Sequence, residues 1–316
     1  MNGLVSFIVI NKDRKKILKV CLNSIFNQTY KNIEVILVDN ASNDESVEMV
    51  KKYFPQTKII QNSQNMMVSK SYNQGIISSN GEYLFCINND VFLNNDYLEK
   101  VLPKFKIDRK IGSISGKLLN PQTKKIDSTG QFLTLARRAH ERGYKQKERN
   151  QFEEGYVWGV SGACALYKKE MLFDIKMEQE YFDEDYQAYL EDLDLNWRAH
   201  NAGWNSYFTP YAIAYHHRGI TGWKRRKRLG YLNLSSEFKF QLIKNRYSTF
   251  IKNENLANFI KHIPFTILYD IYLWIFLLPK KPHYVLEFIK DRRWIKKAVS
   301  KRTLIKKDKG DLRWLS

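Results

Sequence analysis

Carboxylates and carboxamides stand directly behind apolar runs at three places in this sequence: Asn11, with Asp13 close behind, after residues 5–10; Asp39 after 33–38; and Asn88, Asn89 and Asp90 after 83–87. Such side chains accept hydrogen bonds, ligate hard divalent cations and take up protons. Any one of them alone is as well explained as a turn or cap residue. Three in this position carry more weight, because the carboxyl ends of parallel strands share one rim and bring their residues to a single crevice. A fourth acidic group, Glu191, Asp192 and Asp194, opens a segment in which Leu193 and Trp197, four residues apart, fall on one helix face. Acidic residues there complement the positive end of a helix dipole, and a carboxylate at the helix mouth can also deprotonate an incoming hydroxyl. His216 and its neighbour His217 complete the set, as a metal ligand or diphosphate donor on one reading and as structural histidines on the other.

These residues need elements to hold them. Residues 5–10, 33–38, 58–61 and 83–87 have the apolar continuity of buried strands, and 15–27, about 45–53 and 69–78 have helical spacing. The alternation predicts an α/β fold with a mostly parallel central sheet and helices on both faces. A strand over 159–167 and a helix over 192–202, closed by Gly203, follow. From about 100 to 155 the pattern is weak and polar, which predicts loops and an edge excursion.

The chain has 316 residues, 43% hydrophobic and 14% aromatic, enough core material to exclude disorder. Three widely spaced cysteines without a CxxC pair exclude a disulfide framework or a cysteine zinc site. No basic stretch precedes the first apolar run, and that run is too short for a signal-peptide core, so a reducing cytoplasmic location is expected. The net charge of +19 is concentrated, since residues 218–316 hold 24 Lys and Arg against 7 Asp and Glu. Total charge alone invites a nucleic-acid-binding reading, but these cations lie away from any recognisable reading module, and no nucleic-acid partner is expected. The sequence has neither a GxGxxG after the first strand nor a P-loop, which argues against a dinucleotide enzyme.

The residues resemble the family 2 glycosyltransferases, with their GT-A fold. The resemblance rests on the opening strand to Asn11, VDNASND at 38–44, Asn65, Tyr72-Asn73-Gln74-Gly75, GEYLFCINNDV at 81–91, Gly162-Ala163-Cys164, Glu191-Asp192-Leu193-Asp194-Leu195 with Arg198 and Gly203, and His216. It covers roughly residues 4–220, and within the family the VDNAS wording and the basic helices look most like bacterial rhamnosyltransferases of cell-wall and O-antigen assembly. The resemblance implies a catalytic domain over 1–220, with a donor half over about 1–100 and an acceptor half over about 101–220, and then a basic, aromatic helical extension over 221–316. It also implies an inverting, metal-dependent hexosyltransferase. On this reading Asp39 accepts the N3 proton of uracil or thymine, and Asn11, Asp13, Asn65, Asn73, Asn88 and Asn89 line the nucleotide-sugar donor. Asp90 and His216 bind Mg²⁺ or Mn²⁺, with Asn88 standing where a full DxD motif has its first aspartate. Asp192 is the general base, with Glu191 as the alternative, as His217 is to His216. The expected donor is dTDP-L-rhamnose, with a UDP-sugar as the alternative. The expected acceptor is a lipid-linked saccharide or polysaccharide of the bacterial cell envelope.

Residues 259–279 are strongly apolar but include Lys261, His262 and Asp270, and the stretch from Ile263 to Leu278 is too short to span a hydrocarbon core of roughly 30 Å comfortably. With Lys280-Lys281, Arg292-Arg293, Lys296-Lys297 and Lys301-Arg302 beside it, the stretch predicts an interfacial helix on an anionic membrane surface at the cytoplasmic face. A helix hairpin packed on the catalytic domain is the alternative.

Overall fold

The computed structural model describes residues 3–218, 236–277, 288 and 290–306. The domain boundary expected near residue 220 and the Lys280-Lys281 pair lie outside the described residues.

The apolar runs become parallel strands lying side by side in the order β3 (Lys58–Gln61), β2 (Ile33–Asp39), β1 (Val5–Asn11) and β4 (Tyr83–Asn88). Helices α1 (Lys15–Phe26), α2 (Ser46–Tyr53) and α3 (Met67–Ile77) connect them. The first turns Leu18, Cys21, Leu22 and Ile25 inward, the spacing of one helix face. A Cβ on Gly75 would lie 2.3 Å from Ile8 Cγ2, so a glycine is what lets α3 lie this close to β1.

Beyond β4 the sheet continues through β11 (Cys164–Lys168), antiparallel to its neighbours, then β6 (Ile111–Leu119), the parallel β12 (Asn205–His216) and β10 (Gly155–Val157). Two short strands, β5 (Val91–Leu93) and β7 (Ile126–Ser128), pair with β12 and β6, while β8 (Gln131–Leu133) and β9 (Ala139–Glu141) form a separate hairpin. The nine residues of β6 are all buried, at a place where the sequence predicts loops. Gly112, Ser113, Ser115, Gly116 and Lys117 interrupt its apolar pattern, and partners remote in sequence accommodate several of them: Ser113 and Ser206 hydroxyls bond across the strands at 2.8 Å, Lys117 pairs with Glu148 at 2.9 Å, and a Cβ on Gly116 would meet the Ala212 carbonyl. The strand expected from residue 159 is formed only from Cys164.

Helices α4 (Tyr97–Val101), α5 (Lys169–Ile175) and α6 (Glu191–Asn201) complete the part built on the sheet, and α6 ends before Gly203, whose φ of 79° is the left-handed conformation of a helix stop. The C-terminal part forms α7 (Ser236–Asn253), α8 (Leu256–Leu277) and α9 (Arg293–Arg302). It is joined to the sheet-bearing part by a buried ion network, in which Lys252 of α7 pairs with Asp183 and, at 2.7 Å, with Asp194 of α6. Asp194 also holds Arg198 at 2.9 Å, and Lys301 of α9 reaches Asp183. Charges this deeply buried persist only when paired. Cys21, Cys86 and Cys164 are free and buried, and burial pushes all three thiols well above their usual range.

Candidate active site

The register of the parallel strands brings the predicted residues together. Asn11 lies opposite Asp39 at the ends of β1 and β2, and its amide donates to Asp39 Oδ1 at 3.1 Å while its Oδ1 accepts from the Asn89 amide at 2.8 Å. Asp39 is fully buried and also accepts from the Ser42 hydroxyl through Oδ1 and the Ser42 N–H through Oδ2, which leaves Oδ2 able to accept one more donor. Asp13 sits outside this cluster, half-exposed, with Oδ1 accepting the Asn43 N–H at 2.7 Å. That bond, with Lys12 beside it, holds the Asp13 carboxyl below the usual carboxylate pKa range.

Asn88 accepts from the buried Tyr72 hydroxyl at 3.1 Å. Two of the expected donor-lining residues are engaged by local structural partners. Asn65 is exposed and accepts the Met67 N–H at the start of α3, while the buried Asn73 fastens the 181–184 loop, bonding Tyr181, Phe182 and Glu184.

At the end of β4, Asp90 Oδ1 lies 3.3 Å from His216 Nε2, and His216 Nδ1 lies 2.8 Å from Asp127 Oδ2, with Arg218 closing the chain on Asp127 Oδ1 at 2.5 Å. His217 is exposed, its ring turned toward Gln122, so of the two histidines it is His216 whose ring lies beside Asp90. Burial disfavours charge on His216, but hydrogen bonds to Asp127 and Asp90 outweigh it and raise its pKa to about 9. Burial likewise works against ionised Asp127, and His216 and Arg218 overcome it. A histidine whose far nitrogen is fixed by a carboxylate while its near nitrogen faces another carboxylate has the arrangement of an oriented metal ligand. Among the described residues no group of three or more such side chains is placed to hold a metal ion. Asp90 and His216 therefore make at most a partial set for a divalent cation, whose remaining positions oxygens of a diphosphate and water would have to fill.

The second focus is the mouth of α6. Tyr189 and Leu190 precede it with φ of 67° and 68°, a left-handed pair that costs roughly 1–2 kcal/mol per residue. Asn245 of α7, fully buried, donates to both the Ala188 and Tyr189 carbonyls and fixes this turn. Asp192 Oδ2 accepts from Gln131 Nε2 at 2.8 Å and the Gly162 N–H at 3.0 Å, and Oδ1 accepts from the Leu193 N–H at 2.8 Å. A Cβ on Gly162 would stand 2.8 Å from Asp192 Cβ, so only glycine allows that approach. Glu191 next door has Oε2 buried with no hydrogen-bond partner, and burial, with the Asp192 carboxylate, pushes its pKa up to about 8. Glu141 of β9 accepts from Gln131 at 3.1 Å and is pushed up to about 6, first by burial.

Asp127, Gln131, Glu141 and Arg218 are site residues that sequence reasoning missed. The first three lie in three-residue strands inside the segment expected to be loops, where no periodicity can register.

A strand rim of amides and carboxylates facing an acid-bearing helix mouth defines a nucleotide-sugar transferase of the GT-A fold. The family model "Glycosyl transferase family 2" matches residues 6–175, more than half the sequence, and the chain belongs to that family. Poly-beta-1,6-N-acetyl-D-glucosamine synthases of Staphylococcus aureus (strain COL) and Staphylococcus epidermidis are each 24% identical over 214 residues, 67% of this chain and 49% of theirs. The chain thus spans about half the length of these curated relatives. Among solved structures, GalNAc-T7 with UDP, GalNAc and Mn²⁺ superposes with TM-score 0.61 at 14% identity, covering 79% of this chain and 48% of that one. The Pyrobaculum calidifontis mannosyltransferase PcManGT with GDP-Man and Mn²⁺ gives 0.57 at 14% identity over 96% and 85%, and Staphylococcus aureus TarS 1-349 with UDP gives 0.54 at 18% over 80% and 67%.

Proposed function

We propose that this glycosyltransferase moves a sugar from a uridine or thymidine diphosphate donor to a saccharide acceptor of cell-envelope glycan synthesis, with inversion. The observation that carries the reading is the carboxylate of Asp192, clamped by three N–H donors and left with an open acceptor position on Oδ1. The acceptor hydroxyl loses its proton to Asp192 as its oxygen attacks the anomeric carbon, and the nucleoside diphosphate leaves with the bonding electron pair. Glu191 holds its own proton at neutral pH and so donates to a sugar oxygen better than it acts as base. Asp39, through Oδ2, accepts the N3–H of the base, and Asn11 and Asn89 hold it in place. Asp90 and His216 would hold Mg²⁺ or Mn²⁺, which when bound neutralises charge on the leaving diphosphate.

Donor identity is argued from the similar proteins. Their names and bound ligands include N-acetylglucosamine, GalNAc and UDP, and they favour a UDP-N-acetylhexosamine over dTDP-L-rhamnose. A lipid-linked acceptor at an anionic membrane surface accounts for the concentration of cations in residues 218–316. Incubation with UDP-GlcNAc, UDP-GalNAc, dTDP-L-rhamnose and GDP-mannose, each with Mn²⁺, tests the reading by release of nucleoside diphosphate. UDP release from an N-acetylhexosamine donor is expected, and release only from dTDP-L-rhamnose would restore the rhamnosyl assignment. GDP-mannose as the preferred donor would refute the role given to Asp39.

A further inference from the structure

Helix α8 turns polar as well as apolar residues toward the protein: His262, Thr266 and Leu273 are buried, and Asp270 is held by Arg246 at 2.8 Å. Away from it the helix presents Leu256, Ile260, Leu268 and Ile275, which are 69%, 63%, 67% and 64% exposed, flanked by Phe265, Ile267 and Ile271. Lys261 is the only charged side chain among the exposed described residues of this helix. A helix whose outer face meets water has the reverse pattern, and so large a contiguous apolar face marks a surface that something covers. An apolar groove of about 490 Å³ between α7 and α8, lined by Phe250, Ile251, Phe259 and Ile263 among others, extends this face inward. Among the described residues, no helix is long and apolar enough to cross a membrane.

We propose that the outer face of α8 lies in the headgroup–acyl boundary of an anionic bilayer, with its apolar side chains entering the acyl region and exposed cations of α9, such as Lys296, and Arg292 before it, meeting lipid phosphates. Charge selects this occupant over a second copy of the chain. Self-association would oppose two C-terminal regions, each with 24 cations against 7 anions, whereas an anionic leaflet attracts them. The proposal deepens the membrane-surface reading above and does not depend on which sugar is transferred.

The test is sedimentation of the full chain with vesicles of phosphatidylcholine alone or mixed with phosphatidylglycerol, at low and high salt, for wild type and for Ile260→Glu/Leu268→Glu/Ile271→Glu. All three positions face away from the protein, and circular dichroism and a melting curve verify that the variant folds. Wild type is expected to bind the anionic vesicles and to keep a bound fraction at high salt, while the variant loses that fraction, its partitioning falling at least about tenfold. Quenching of Tyr272→Trp fluorescence by brominated lipid is expected in the same vesicles. Unchanged salt-resistant binding by the triple variant overturns the role of α8 yet leaves electrostatic membrane binding standing, whereas no binding to any vesicle refutes both. A wild-type dimer that the variant abolishes, without vesicle binding, makes this face a self-interface and also overturns the proposal. Donor turnover with a soluble acceptor reads the transferase function separately.

Discussion

Two adjacent carboxyl groups at the mouth of α6 sit in different surroundings, and that difference divides their roles. Asp192 faces three N–H donors, while Glu191 has a buried oxygen without a partner and a pKa of about 8. Asp192→Asn is expected to lower kcat by about a hundredfold or more with donor KM little changed, and Glu191→Gln to stay within about tenfold, because the amide imitates the protonated acid. Steady-state kinetics on both variants checks the assignment, and the opposite ranking moves the base to Glu191. Stability gives an independent reading. Glu191 is protonated in the folded chain but ionises near the ordinary glutamate value of 4.5 when unfolded, so the unfolded state binds fewer protons across that interval and stability falls as pH rises from there toward about 8. Glu191→Gln removes this slope. Its melting temperature should therefore decline less than that of wild type between about pH 5 and pH 8, and parallel curves would mean that Glu191 is ionised in the native state.

At the scale of elements, the site depends on a bridge from the β8–β9 hairpin to α6. Gln131 donates to Asp192 through Nε2 and accepts from Asn196 of α6 at 2.9 Å through Oε1, so one side chain fixes both the carboxylate and the helix that carries it. Gln131→Leu is expected to reduce kcat about tenfold with donor KM unchanged, since it loosens the base without touching the nucleotide. A change in KM alone would place Gln131 in the donor site. The contrast between this hairpin and the rim shows what sequence can reveal. Asn11, Asp39 and Asn89 were legible because each follows an apolar strand long enough to show, and parallel register forces their ends together. Gln131, Glu141 and Asp127 were not, because a three-residue strand has no measurable period, and β6 beside them has its apolar pattern broken by small and polar residues whose burial depends on partners remote in sequence. The left-handed turn at Tyr189 and Leu190 was equally silent, since bulky side chains give no signal for that conformation.

For the molecule as a whole, the C-terminal helices brace the segment that carries Glu191 and Asp192. Asn245 secures the turn before Glu191, Asn253 donates to Asp194 at 2.8 Å, and Lys252 neutralises Asp183 and Asp194 together. Lys252→Met leaves Asp194 to Arg198 and Asp183 to Lys301, each with one buried partner lost, and is expected to destabilise the fold by about 2–3 kcal/mol, read as a lower midpoint in urea unfolding. A loss below about 1 kcal/mol would mean that the helices dock without electrostatic need of the sheet-bearing part. Basic composition in the C-terminal third suggested a surface appendage, but composition counts charges without showing that several of these lysines and arginines are turned inward to partners 50 to 120 residues away. The three cysteines have a practical consequence. Their thiols are shielded from solvent and held protonated, so a thiol-reactive fluorophore or spin label added to the native chain meets no competing nucleophile at Cys21, Cys86 or Cys164. A single cysteine introduced on the outer face of α8 or beside the mouth of α6 is then a site-selective reporter without prior removal of the natural ones.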